Sequence, residues 1–211
     1  MKVMLFNGSP KEKGCTYTAL CEIAKTLQEE GIESQIFHVG NDPIGSCKGC
    51  QACAKLGKCI FDDKVNDFVE LMRNCDALVI GSPVHYAAAT GATVAFLDRA
   101  FYSSARSPQG SAFERKAGFA IASARRAGTT ATLDQLNKYF LITQMPIISG
   151  RYWNMVHGNT PDEVVQDLEG MQNLRVLARN MAWHLKCNEL ALKSGLTPPQ
   201  KEEVIRTNFI R

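Results

Sequence analysis

Short apolar runs alternate with longer amphipathic segments along most of the chain. The pattern predicts five strands, at residues 2–6, 33–39, 77–80, 118–122 and 146–148, of which the second is polar enough for a sheet edge. Helices are predicted between them, at residues 16–30, 63–73, 90–103 and 129–141. This alternation is typical of an α/β domain whose parallel sheet is covered by helices on both faces.

The C-terminal part is predicted to begin with a well-marked helix start. Thr160 suits an N-cap, and the proline at the next position and the glutamate at 163 complete a capping box. A stripe of apolar residues follows at helical spacing. We expect a single domain over residues 1–192 with a cysteine-rich insertion at 44–62, and a C-terminal arm at 193–211 that begins near Gly195.

Composition and charge narrow the class of protein. The 211 residues are 45% hydrophobic and carry a formal net charge of +3, with the signs interspersed, so neither a nucleic-acid footprint nor a polybasic membrane anchor is expected. No apolar run approaches the roughly 18 residues of a membrane span. We expect a cytoplasmic protein that acts on small molecules, and in that compartment eight cysteines are not expected to form four disulfides.

Four of the eight cysteines are concentrated in thirteen residues, as Cys47, Cys50, Cys53 and Cys59. Thiols at steps of three in an irregular loop can turn toward one point, and the fourth can close a four-thiolate cage. The array favours a [4Fe-4S] cluster. Structural zinc, uncoordinated thiols and a redox-active Cys47–Cys50 pair remain alternatives. The four other cysteines are interpreted as packing residues.

The loops after the first, third and fourth strands are the candidate binding sites, because ligands of such sheets bind beyond the carboxyl ends of the strands. The first loop, from Asn7 to Thr18, contains Gly8 and Gly14 and opens onto a helix. Helix amides, lysines and the Ser9, Thr16 and Thr18 hydroxyls there would suit a phosphate. Neither G-x-G-x-x-G nor a nucleotide-triphosphate loop is present, and a polar turn that caps a helix is the alternative.

The two other loops offer different chemistry. Pro83, Val84, His85 and Tyr86 supply an apolar edge and stacking groups that suit a flat aromatic ligand, although a plain strand-to-helix turn would look similar. The loop after the fourth strand carries two guanidiniums, which would bind a phosphate or a negatively charged ring nitrogen, or form a solvated basic turn.

These loops together resemble the flavodoxin-like NADPH-dependent FMN reductase family, and with the cysteine array they are similar to its iron–sulfur flavoproteins. The motifs that carry the resemblance are, in chain order, Gly8-Ser9-Pro10-Lys11, Gly81-Ser82-Pro83-Val84-His85-Tyr86, Leu97-Asp98-Arg99 and Ser123-Ala124-Arg125-Arg126-Ala127-Gly128. The resemblance covers residues 1 to about 150. It implies a doubly wound sheet of five parallel strands in the order 2-1-3-4-5, followed by a long C-terminal helix and the arm.

The resemblance also implies a set of site residues. The FMN phosphate would be held by Ser9, Lys11, Thr16, Tyr17 and Thr18; the isoalloxazine would be lined by Pro83, Val84, His85 and Tyr86; and the site would be completed by Ser123, Arg125, Arg126 and Gly128. The metal ligands would be Cys47, Cys50, Cys53 and Cys59. Two residues depart from the family pattern, Cys15 in place of asparagine and Ala127 in place of glycine.

The implied activity is that of an FMN-dependent oxidoreductase. NAD(P)H would be the reductant, and the acceptor would be a quinone, a nitro or azo compound, or a free flavin. The alternative is a one-electron carrier supplied by ferredoxin, or a thiol redox sensor. No residue is assigned as catalytic, and a homodimer or homotetramer is expected.

Overall fold

The computed structural model describes residues 1–205, 207 and 209. Its strands are β1 (Lys2–Asn7), β2 (Glu33–His38), β3 (Ala77–His85), β4 (Ala88–Ala89), β5 (Ala117–Ala124) and β6 (Met155–His157). Its helices are α1 (Cys15–Glu29), α2 (Cys53–Leu56), α3 (Lys64–Arg73), α4 (Gly91–Arg106), α5 (Thr129–Ile142), α6 (Pro161–Val164) and α7 (Leu168–Lys193).

The parallel strands lie in the order β2-β1-β3-β5-β6, and β4 pairs antiparallel with β3. The predicted α/β fold, with five parallel strands in the order 2-1-3-4-5, is therefore confirmed, with β4 as an additional short strand. β1 is buried from Val3 to Asn7 and β3 from Ala77 to Ser82 because both faces are covered there, whereas β2 is partly exposed at the sheet edge, as its polar sequence predicts.

Two separate apolar clusters fill the space on the two faces of the sheet. Helices α3, α4 and α5 pack on one face, where Phe6, Phe68 and Phe96 form an aromatic group with ring centroids 5.0–5.5 Å apart. Helices α1 and α7 cover the other face with apolar residues such as Leu20 and Leu177. The sheet is thus doubly wound, and its carboxyl edge lies between the two helical layers.

Two strand boundaries differ from the prediction. β3 continues to His85 instead of ending at residue 80. β1 pairs with β3 only as far as Gly81, whereas β5 pairs with it as far as Pro83, so the proline stands where β1 no longer flanks the strand. The fifth strand is β6, whereas the predicted strand at 146–148 makes one bridge, from Ile147 to Gly118. The edge strand is therefore interrupted and resumes where Val156 enters the core.

The predicted C-terminal helix is divided in two. Thr160 caps α6 as predicted, by accepting a hydrogen bond from the Glu163 amide. The helix then breaks after Val164, and Asp167 caps α7 by accepting from the Gly170 amide. No helix among residues 1–205 is long and apolar enough to cross a membrane.

The segment after α7 follows the surface as far as it is described. Arg115 donates to the Pro199 carbonyl at 2.7 Å, and Lys201 pairs with Glu114 at 2.6 Å. These contacts attach the start of the predicted arm to the connection between α4 and β5. Residues 206, 208, 210 and 211 of the predicted arm lie outside the described residues.

Candidate functional site

The loop after β1 is anchored to α4 through the backbone of Gly8. Its carbonyl accepts hydrogen bonds from the hydroxyls of Thr90 and Thr93, both at 3.0 Å, and its amide donates to the Gly81 carbonyl at 2.8 Å. A Cβ at this position would lie 2.0 Å from Thr93 Oγ1. Only glycine permits so close an approach, so the Gly8 position fixes where the loop leaves the sheet.

The next turn is shaped by polar side chains that hold the backbone. Asn7 Oδ1 accepts from the Ser9 amide at 3.1 Å, and Ser9 Oγ accepts from the Lys11 amide at 3.1 Å. His38 Nε2 lies 2.8 Å from the Ser9 carbonyl oxygen. Ser9 is buried and Lys11 is exposed. Sequence reasoning did not assign Asn7 or His38 to the site, although both stand at the carboxyl ends of neighbouring strands.

The first turn of α1 leaves its backbone donors available. Gly14 is the N-cap and has extended backbone, and no side chain among the described residues caps the helix. The amides of Cys15, Thr16 and Tyr17 therefore lack helical partners, and they stand at the positive end of the helix dipole. Thr18 uses its hydroxyl to donate to the Gly14 carbonyl at 3.2 Å. This turn offers an anion site built mainly from the backbone.

Two predicted site residues from distant parts of the sequence meet at this turn. Thr16 Oγ1 and Ser123 Oγ lie 2.7 Å apart, and both side chains are buried. The contact joins the first turn of α1 to the end of β5. The first and fourth strand-end loops are thereby brought together, as the topology predicts.

The predicted loop after the third strand is a β-hairpin. Val84 pairs with Ala89 and His85 with Ala88, and the two residues between them, Tyr86 and Ala87, have φ values of 50° and 58°. Positive φ at both central residues is the geometry of a type I′ turn, and it is strained for residues other than glycine. Tyr86 is fully exposed at the tip, so its ring is free to meet a ligand at the carboxyl edge.

The loop after β5, which is the fourth predicted strand, places positive charge beside the hairpin. Arg125 and Arg126 are exposed, and neither has a hydrogen-bonded or ion-paired partner within the described part of the chain. Gly128, with φ at 95°, packs against the hairpin turn. All three predicted loops thus lie together at one edge of the sheet, with free amides, an apolar hairpin and two free guanidiniums.

The four clustered cysteines line one recess next to α4. The residues that line it are Cys47, Lys48, Cys50, Gln51, Cys53, Cys59, Ile60, Phe61, Arg99, Tyr102 and Ser103. Cys47 and Cys50 are exposed and Cys53 is buried at the start of α2. The pKa of Cys53 is raised, first by burial and then by the neighbouring cysteines. The four thiols therefore share one recess, which extends from the exposed Cys47 and Cys50 to the buried Cys53.

A buried arginine forms the inner wall of this recess. Arg99 is 1% exposed, pairs with Asp63 through two hydrogen bonds at 2.7 and 2.9 Å, and lies 3.3 Å from Cys59 Sγ. Burial lowers the pKa of Arg99, but the bonds to Asp63 and Cys59 outweigh burial and raise it. Sequence reasoning assigned Arg99 only to a family motif.

The recess is not arranged for a single metal ion. Within the described residues, no three Cys, His, Asp or Glu side chains are grouped to hold one ion. Zinc requires four ligands at about 2.0–2.3 Å from one centre. The donor set, four thiols beside a buried cation that offsets the negative charge of thiolates, therefore fits a centre of several metal ions better than it fits a single zinc ion.

Comparison with known proteins assigns the chain to a family. The sequence profile described as NADPH-dependent FMN reductase matches residues 1–160. The chain belongs to that family. It is therefore a flavoprotein of the FMN reductase type, and the three loops that meet at the carboxyl edge all lie within the matched region.

Archaeal relatives match this family member over most of its length. An iron–sulfur flavoprotein of Methanocaldococcus jannaschii is 28% identical over 189 residues, which cover 86% of this chain and 96% of the relative. An iron–sulfur flavoprotein of Methanosarcina thermophila is 25% identical over 186 residues, which cover 86% and 93%. The chain is thus similar to these proteins beyond the FMN reductase region.

Solved structures confirm the fold of this FMN reductase family member. RosB with bound 8-demethyl-8-formylriboflavin-5′-phosphate matches with a TM-score of 0.67 at 14% identity, over 99% of this chain and 92% of RosB. FerB of Paracoccus denitrificans, an NAD(P)H:(acceptor) oxidoreductase, matches at 0.63 and 16% identity, over 86% and 94%. A flavodoxin from the Archaea matches at 0.59 and 13% identity, over 88% and 99%.

Proposed function

We propose that this FMN reductase family member binds FMN at the carboxyl edge and a [4Fe-4S] cluster in the cysteine recess, and carries electrons from NAD(P)H to a small acceptor. When bound, FMN accepts a hydride and releases two electrons together or singly, whereas a cluster passes them one at a time. The chain would then convert between two-electron and one-electron chemistry.

The residues of the carboxyl edge would bind and orient the flavin. The free amides of the first α1 turn, with Ser9 and Lys11, would hold its phosphate. The hairpin residues Pro83 to Tyr86 would lie along its ring, and Arg125 and Arg126 would face its polar end. Because Tyr86 is exposed, the ring side of the site stays open to a nicotinamide and to an acceptor.

The cysteine recess would hold the cluster through Cys47, Cys50, Cys53 and Cys59. The thiols line one recess but are not grouped around one ion point, and a cluster, which places each thiolate on a different iron, needs such wider spacing. The archaeal relatives named iron–sulfur flavoproteins support this choice over uncoordinated thiols.

The observation that carries the proposal is that α4 touches both sites. Thr93, in its first turn, binds the Gly8 carbonyl of the phosphate loop, and Arg99 contacts Cys59. Thr93 and Arg99 are six positions apart, which is about 9 Å along a helix axis. One rigid helix thus holds the flavin loop and the cysteine recess at a short fixed separation.

Anaerobic stopped-flow reduction tests which reductant supplies electrons to the flavin. We expect NADPH or NADH to bleach the flavin absorbance in a single exponential phase, whose rate constant rises hyperbolically with the nucleotide concentration. Cys50→Ser, which removes an exposed thiol, should keep this reduction and lose the slower absorbance change of the cluster. If only reduced ferredoxin bleaches the flavin, the chain is a one-electron carrier and the reductase proposal fails.

We also propose a homo-oligomer. Trp153 is 56% exposed and Trp183 is 72% exposed, and tryptophan is enriched in protein–protein interfaces relative to the rest of the surface. Sedimentation velocity at micromolar concentration should show a dimer or tetramer, and a monomer would contradict it.

A further inference from the structure

Arg99 is held in one orientation by groups between residues 45 and 63, in the cysteine-rich insertion and at the start of α3. Its two terminal nitrogens donate to the two carboxylate oxygens of Asp63, at 2.7 and 2.9 Å, and one of them also lies 3.4 Å from the Gly45 carbonyl. A two-point pair of this kind fixes the plane of the guanidinium. The remaining donor, Nε, is thereby directed at Cys59 Sγ, 3.3 Å away.

Two cations lie over the ring of Phe61, and they differ in burial. The Arg99 Cζ atom lies 4.5 Å from the centroid of its ring, and Lys48 Nζ lies 5.0 Å from the same centroid. Lys48 is exposed, whereas Arg99 is buried. Solvent screens the charge of Lys48, but the charge of Arg99 acts in a medium of low dielectric constant beside a sulfur atom.

We propose that Arg99 is a positioning residue that sets the reduction potential of the cysteine-bound cluster through its hydrogen bond to Cys59, with Asp63 fixing its orientation. This inference rests on the proposed cluster. Hydrogen bonds to ligand sulfurs and nearby positive charge stabilise the reduced state, which carries one more electron than the oxidised state. Removal of the Nε–H bond therefore lowers the potential.

The competing explanation is that Arg99 only ties residues 45–63 to α4. In that case its replacement would change stability and leave the potential unchanged. The variant Arg99→Lys separates the two roles, because lysine keeps the charge but has one nitrogen, which cannot pair with both Asp63 oxygens and also occupy the Nε position.

The experiment is an anaerobic dithionite titration of the purified holoprotein, with the cluster followed by its visible absorbance and by electron paramagnetic resonance. We expect Arg99→Lys to lower the equilibrium constant for one-electron reduction about tenfold, which corresponds to about 59 mV. Arg179→Lys is the matched control, since Arg179 is half exposed and pairs with Glu29 and Glu30 instead. Lys48→Gln, which removes the screened charge, should shift the constant less than twofold.

The outcomes separate the inference from the proposed function. If the wild-type chain contains iron and sulfide and Arg99→Lys has the potential of Arg179→Lys, the inference is overturned and the cluster stands. If Lys48→Gln shifts the potential as far as Arg99→Lys, charge alone is responsible and the inference is again overturned. A wild-type chain without iron or sulfide removes the cluster, and the inference falls with it.

A second variant covers the case in which Arg99→Lys fails to retain the cluster. Asp63→Asn keeps the side-chain oxygen that caps α3 but removes the carboxylate that clamps the guanidinium. Loss of the Asp63 negative charge would by itself raise the potential, so a decrease, about threefold in the equilibrium constant, is expected only if the lost orientation of Arg99 outweighs it. An unchanged potential in this variant would overturn the role of Asp63 and, without data from Arg99→Lys, the inference itself.

Discussion

Gly128 faces Ala87 so closely that a Cβ on Gly128 would lie 2.7 Å from the Ala87 Cα atom. The contact joins the turn after β5 to the tip of the β3–β4 hairpin. It is set by backbone, so no rotamer change can relieve a larger residue. The relative position of the two loops that would flank the flavin ring therefore depends on this one glycine.

Gly128→Ala should weaken FMN binding by more than tenfold, because the added methyl group pushes the two loops apart. The matched control is Gly110→Ala. Gly110 also has positive φ, at 81°, but a Cβ there would meet no atom within 4 Å, so it should lose about 1 kcal/mol of stability and bind FMN normally. Quenching of FMN fluorescence measures the FMN affinity of both variants. Equal affinities in the two variants would show that the contact does not shape the site.

Thr16→Val should destabilise the chain by about 1–3 kcal/mol, because it leaves the buried Ser123 hydroxyl without its partner. Thr16→Ser keeps the hydroxyl and is the matched control. The double variant Thr16→Val/Ser123→Ala removes both partners and should recover part of the loss. Urea unfolding gives the free energies, and a fully additive double variant would contradict the pairing.

Lys11→Gln should raise the dissociation constant of FMN about three- to tenfold at low salt, with a smaller effect at 0.5 M salt, since an exposed ammonium near a phosphate is screened. Lys25→Gln, on the exposed face of helix α1 that follows the loop, is the control for net charge. Riboflavin, which lacks the phosphate, should bind equally to all three proteins. A similar loss for riboflavin would place Lys11 elsewhere than at the phosphate.

Asp63→Ala should lower the free energy of unfolding by about 3–5 kcal/mol, because it leaves the buried Arg99 charge without its counter-ion. Loss of the α3 cap is included in this figure. Glu70→Ala, which breaks an exposed pair with Arg73 on the same helix, should cost less than about 1 kcal/mol. Chemical unfolding gives the free energy of unfolding of each variant. A similar decrease in the two variants would mean that Asp63→Ala does not leave Arg99 as an uncompensated buried charge.

Much of the fold follows from local sequence signals. The buried strands β1, β3 and β5 and the Thr160 cap are all predictable, because burial on both faces and capping leave patterns within a few residues. The extension of β3 through Pro83 was not predicted, since proline and glycine ordinarily mark loops. It depends on β1 having ended, which no local pattern reveals.

The cysteine site shows where sequence reasoning stops. The four cysteines are visible as a cluster, but Arg99 lies in an amphipathic helix, where an arginine is normally expected to face solvent. Its burial becomes favourable only because Asp63 and Cys59, about forty residues away, fold against it. Such long-range compensation has no signature in a single sequence.

The stoichiometry of bound groups in anaerobically purified protein tests the central claim most directly. We expect one FMN, about four irons and about four acid-labile sulfides per chain, with the irons and sulfides lost from the Cys47→Ser/Cys53→Ser variant and the FMN retained. Flavin without iron or sulfide in freshly purified protein would contradict the cluster. A chain that neither retains FMN nor binds it at micromolar concentration would contradict the whole proposal.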